Sequence, residues 1–184
     1  ATIVYIGSAT SYQHQNLSSN TPHYYKIWSK SSSNIYSQTG LTDSKTTHDV
    51  TTPTFTSATG SSSSQIDLVY ALNSYGDDVM VTYNTVNSFS SPVDGNSYSV
   101  SSQIGGQQTV LYKGSSLNYS HTGLNVNTTY YYKIWAYGCQ NDYSTGVTKT
   151  GTTQSIGNPT SFSASAASSC EMGLTWIKNG SNNV

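Results

Sequence analysis

Two short runs carry the side chains best suited to binding: Tyr24-Tyr25-Lys26-Ile27-Trp28 and Tyr131-Tyr132-Lys133-Ile134-Trp135. Alternate residues of an extended strand share a face. Tyr131, Lys133 and Trp135 therefore line one side of their strand, as Tyr24, Lys26 and Trp28 line one side of theirs. A lysine among flat rings makes cation-π contacts worth about 0.5–1 kcal/mol when exposed. Such a face is also a platform for a sugar ring or a neighbouring chain. The plainer reading, which we favour, is a ladder that stiffens its sheet through side-chain contacts.

The remaining polar candidates point to structure rather than catalysis. His14 and His121 occupy equivalent places in two similar stretches, so they cannot share a metal, and no second ligand lies at zinc-like spacing. Local hydrogen bonding is expected of both. Asp77-Asp78 falls short of the six or more oxygens that calcium takes, and Asn182-Asn183 stands in the matching place. A solvated loop is expected there. Cys139 and Cys170 face serines in the matching stretches, at Ser32 and Ser64, and free thiols are expected. The sequons at Asn16, Asn118, Asn127 and Asn179 arise by chance in so Asn- and Ser-rich a chain.

Glu171 is the single glutamate, so a paired-carboxylate hydrolase would have to use scattered aspartates. The sequence has no Gly-x-Ser-x-Gly elbow, no His-Glu-x-x-His and no phosphate-cradling glycine loop before a helix. No catalytic residue, metal or cofactor is assigned, and the chain is not expected to be an enzyme. Charged residues make up 8%, the net charge is -1 and the seven Lys and Arg residues are all lysines, which leaves no patch able to neutralise a row of phosphates. Nucleic acid is excluded as a partner. No stretch reaches the roughly 18–20 apolar residues of a membrane span, and any targeting segment is expected outside these residues.

The elements that position these side chains follow from self-similarity. Thr2-Ile3-Val4-Tyr5-Ile6-Gly7-Ser8 recurs as Thr109-Val110-Leu111-Tyr112-Lys113-Gly114-Ser115, and His23 to Trp28 recurs as Tyr130 to Trp135, 107 positions on. After one extra residue near Gln38 the offset becomes 106, so that Pro53-Thr54 matches Pro159-Thr160 and Leu68-Val69-Tyr70 matches Leu174-Thr175-Trp176. A period of this size is that of an immunoglobulin-like sandwich, roughly 100 residues. The expected organisation is the C-terminal part of one repeat over 1–52, a complete repeat over 53–158 and the N-terminal part of a third over 159–184. The chain is expected to be a piece of a longer array, with completion of the end copies by other chains as the alternative.

Ile66, Leu68, Tyr70 and Leu72 alternate, as do Val79, Val81 and Tyr83, and Tyr130, Tyr132 and Ile134, which marks half-buried strands. Turn clusters such as Asp94-Gly95-Asn96 and Gly105-Gly106 separate them. No apolar helical period persists for three turns. The fold class expected is all-β: tandem antiparallel β-sandwiches with short strands.

Within this pattern, Leu124, Thr128 and Tyr130 resemble the corner before the sixth strand of fibronectin type III domains, with Val126 where that family has proline and His23 in the tyrosine place of the first copy. Trp176 matches the family's buried tryptophan, replaced by Tyr70 in the complete copy. The order Val79 to Asn84, Pro92 to Tyr98, Ile104-Gly105-Gly106, Thr109 to Gly114 and Thr129 to Trp135 is similar to repeats of large secreted or cell-surface proteins of Bacteroidota. The resemblance implies export, an extracellular location and a role as stalk, filament or adhesin repeat. Its partners would be neighbouring copies of the repeat and surface polysaccharide, and the alternative is an accessory carbohydrate-binding module of a secreted hydrolase.

Overall fold

The structure is a computed structural model that describes residues 1–178; Asn179 and Asn182-Asn183 lie outside the described residues. Every regular element among them is a strand, as expected. The ends hold two-stranded pairs, β1 (Pro22–Ile27) with β2 (Leu41–Thr46) and β11 (Thr160–Ala166) with β12 (Met172–Ile177). Between them stand β3 (Thr54–Ser62), β4 (Gln65–Ala71), β5 (Val79–Asn84), β6 (Gln103–Ile104), β7 (Gln108–Gly114), β8 (Asn118–Thr122), β9 (Thr129–Ala136) and β10 (Val147–Thr152). These eight form two antiparallel sheets, ordered β3-β4-β8 and β10-β9-β5-β7-β6. This is a fibronectin type III-like sandwich.

Alternation decides which residues enter the space between the sheets. Ile66, Leu68 and Tyr70 of β4 meet Val79 and Val81 of β5 and Tyr130, Tyr132 and Ile134 of β9, with Phe55 closing one end. Tyr130 also makes the expected corner tie, its hydroxyl accepting the Asn125 N–H at 3.0 Å. His23, in the same place of the first copy, has a buried Nε2 without a partner. The Tyr70 hydroxyl is likewise buried without a partner.

His121 is the one imidazole in this core. Its Nδ1 lies 3.1 Å from the Tyr132 hydroxyl, and it meets the Tyr83 ring edge-on with centroids 4.5 Å apart. Burial disfavours the charged ring and holds its pKa down at about 4.

Strands β5 and β9 depart from alternation. Val79, Met80, Val81 and Thr82 are all buried, and so are Ile134, Trp135 and Ala136. The cause is a third layer. The segment 85–107, which contains β6, folds over the outer face of the five-stranded sheet and encloses Met80, Val110 and Trp135 with Ile104, Phe89 and Tyr98. Strands covered on both faces read as continuous apolar runs.

This flap is pinned at two places. The side chain of Gln108, fully buried, accepts the Ser90 N–H at 2.7 Å and donates to the Ser90 carbonyl at 2.6 Å. At the other side Asp94 accepts the Tyr143 N–H at 2.9 Å, and the Tyr143 hydroxyl donates to the Asn96 carbonyl at 2.9 Å.

Both end pairs lack such cover. Ile27, at the place of Ile134, is 69% exposed, and Leu174, at the place of Leu68, is 52% exposed, whereas both counterparts are at 0%.

Three outcomes follow from this core. The unfolded chain binds more protons than the folded one between the ordinary histidine value of 6.5 and about 4. Stability is therefore full above that window and falls as pH drops through it, by on the order of 1–3 kcal/mol in melts at about pH 7.5 and about pH 4.5, a loss that His121→Phe largely removes. Gln108→Ala should cost about 1–3 kcal/mol and red-shift tryptophan emission as the flap lifts. Tyr70→Phe should equal or exceed the parent in denaturant melts, by up to about 1 kcal/mol.

Candidate functional site

The expected binding face is divided by the fold into two unlike halves. On β9, Lys133 Nζ stands 5.2 Å from the centre of the Trp135 ring, and on β1 Lys26 Nζ stands 5.2 Å from that of Trp28. The pairing of lysine with tryptophan two residues on thus recurs in the same geometry. Room for each indole comes from a glycine on the neighbouring chain segment. A Cβ on Gly146 would meet Trp135 Nε1 at 2.5 Å, and one on Gly40 would meet Trp28 Nε1 at 2.9 Å.

Exposure separates the halves. Trp135 is 1% exposed because the flap lies on it, contrary to the expectation of an open face, and Tyr131 and Lys133 are only half-buried beside it. Tyr24 is 80% exposed, Trp28 is 46% exposed, and Lys26 is exposed too. The aromatic side chains on β1 are thus open in this structure, whereas Trp135 on β9 is covered.

Gln108, which fastens the flap, was not foreseen. It carries no periodic signal, and its place in the first copy is taken by Ala1. The one available hint was the length of the segment between β5 and β7, with Phe89, Tyr98 and Ile104 on it.

Burial acts on three groups in the middle sandwich. His121 is held at about 4, while burial pushes the Tyr137 and Tyr143 phenols up to about 12, aided by Asp78 for the first and by Tyr98 for the second. These groups are driven away from neutral pH, the opposite of what general acid–base work requires. Lys113 packs 4.2 Å from the Tyr137 ring, and its pKa is lowered by burial against the opposing pull of Asp78.

Among the described residues no three His, Cys, Asp or Glu side chains gather into a metal-binding group. Asp77 is engaged by its own loop: its carboxylate accepts from Asn73 Nδ2 at 2.8 Å and its N–H donates to Asn73 Oδ1 at 3.0 Å. His14 lies 3.0 Å from the Tyr25 hydroxyl, the same pairing as His121 with Tyr132. Cys139, between β9 and β10, and Cys170, between β11 and β12, are free and exposed.

No family model and no curated protein matches the sequence. Among solved structures the chain is similar to the crystal structure of FN3tt, at 16% identity and a TM-score of 0.40 over 56% of this chain and 97% of that one. It is similar to an Fn3-like protein from Clostridium thermocellum, at 21% identity and a TM-score of 0.41 over 58% of this chain and 93% of that one. It is also similar to the FN1-FN3 domains of chicken CNTN1, at 12% identity and a TM-score of 0.41 over 83% of this chain and 52% of that one. These likenesses are of fold, and the sandwich assignment rests on the strand order of the chain itself.

Proposed function

We propose that this chain is a non-catalytic spacer, made of successive copies of one β-sandwich unit in an extracellular protein of the kind found on Bacteroidota surfaces or in their filaments. One observation carries the reading: whole hydrogen-bond constellations return at the repeat offset. Thr47 Oγ1 donates to the Ser18 carbonyl at 2.6 Å and accepts the Thr21 N–H at 3.0 Å. Thr153 Oγ1 donates to the Asn125 carbonyl at 2.7 Å and accepts the Thr128 N–H at 2.9 Å. Left-handed backbone recurs with them, at Asn20 (φ 45) and Asn127 (φ 47), and at Asn34 (φ 63) and Asn141 (φ 58). A scaffold repeats in this way and a unique active site does not.

Low charge supports an assembling role, since few like charges meet when units pack together. The rival reading, an accessory carbohydrate-binding module of a secreted hydrolase, draws on the exposed Tyr24 and Trp28. It is weakened by the burial of Trp135, because the one complete sandwich has no open aromatic platform at the equivalent place.

Paired substitutions test the choice. For a spacer, Trp135→Ser should destabilise the chain by about 3–5 kcal/mol, as truncation of a buried tryptophan does. Trp28→Ser should stay within about 0.5 kcal/mol of the parent. A glycan array probed with the full chain should be blank. Specific glycan binding that Trp28→Ser abolishes would establish the accessory module instead.

A further inference from the structure

The seven residues 47–53 that follow β2 would ordinarily leave the units they join free to swing. Here they are held by contacts of three kinds. On the first side, Asp142 Oδ2 accepts the Ser19 N–H at 3.0 Å, and Gln140 Nε2 donates to the Asn16 carbonyl at 2.9 Å. On the second, the His48 ring stacks on Tyr75 with centroids 4.1 Å apart and planes 23° from parallel, and Asn73 Nδ2 donates to the Thr51 carbonyl at 2.8 Å. Between them Val50 is only 8% exposed, seated against Gly138, where an added Cβ would come within 3.0 Å of its Cγ2.

We propose that these contacts form an angle-fixing joint between successive sandwich units, and that the kind of partner each unit's corner pole accepts is the loop pole of another copy. The inference rests on the spacer reading and deepens it. One contact permits rotation about itself, whereas separate anchors at Asp142, Tyr75 and Gly138 remove it. The corner side and its linker contribute the Ser19 N–H, the Asn16 and Thr51 carbonyls, the Val50 side chain and the His48 ring.

Part of this set has counterparts at the far pole of the middle sandwich, although Gln154 stands at the place of His48 and donates to the Gly60 carbonyl at 3.2 Å. Gly123 (φ 74) stands where Asn16 (φ 59) does, Val126 stands at Ser19, and Ile156 stands at Val50 but is 59% exposed. The loop side is the selective half. Ser33 and Ile35 occupy the places of Gln140 and Asp142 in the first copy, so its loop could not form the same polar anchors.

Residual dipolar couplings on the full chain test the joint. The amides of β1 and β2 and those of the middle sandwich are expected to fit one alignment tensor. In the triple variant Asp142→Ala, Gln140→Ala, Tyr75→Ser two independent tensors are expected, with the Ser19 amide exchanging at least ~tenfold faster. Unchanged couplings within the middle sandwich verify that the variant folds. Two tensors in the parent chain, couplings averaged away across β1 and β2, or a single tensor that survives the triple variant would each overturn the joint. Those results leave the spacer reading intact as a flexible tether; that reading falls separately, on specific glycan binding.

Discussion

Strand β9 is enclosed on both faces, and most of the middle sandwich is arranged to meet that requirement. Its inner side chains, Tyr130, Tyr132 and Ile134, need the opposing three-stranded sheet, while Trp135 needs the flap. Burial of an aromatic surface on each side of one strand is a large share of the free energy available to a unit of this size. It also imposes polar obligations. Tyr132 meets His121, Gln108 satisfies the Ser90 backbone, and Tyr143 ties the β9–β10 loop to the flap.

These obligations explain why the histidine is tolerated. An imidazole in an aromatic cage is acceptable while neutral, and the Tyr132 hydroxyl gives its Nδ1 a partner. The pairing occurs again at His14 and Tyr25, so it is not peculiar to the middle sandwich. The same reasoning separates fastening devices from binding devices. Groups that return at the offset with the same partners hold the sandwich together, and those that differ between copies, such as Asp142 against Ile35, are where individual character resides.

Much of the fold was legible because it depends on local periodicity. Alternation at Ile66, Leu68 and Tyr70 and at Tyr130, Tyr132 and Ile134 named the inner face, and Leu124, Thr128 and Tyr130 named the corner. The candidate site was legible only in part. A period of two places Tyr131, Lys133 and Trp135 on one side of a strand without saying what lies over that side. The answer depends on the upstream segment 85–107, folded back through Gln108, whose hydrogen bonds to Ser90 leave no local trace in the sequence. The contacts around Val50 were equally unreadable, since they join backbone groups near Asn16 to side chains near Asp142.

Were the seating of Val50 against Gly138 to return at each junction of the proposed array, it would reach beyond one pair of neighbours. A single rotation and translation applied again and again generates a screw axis. Units coupled in this manner would wind into a superhelical rod whose pitch is set by a few loop side chains, and a copy with altered loops would place a bend at a defined point along it.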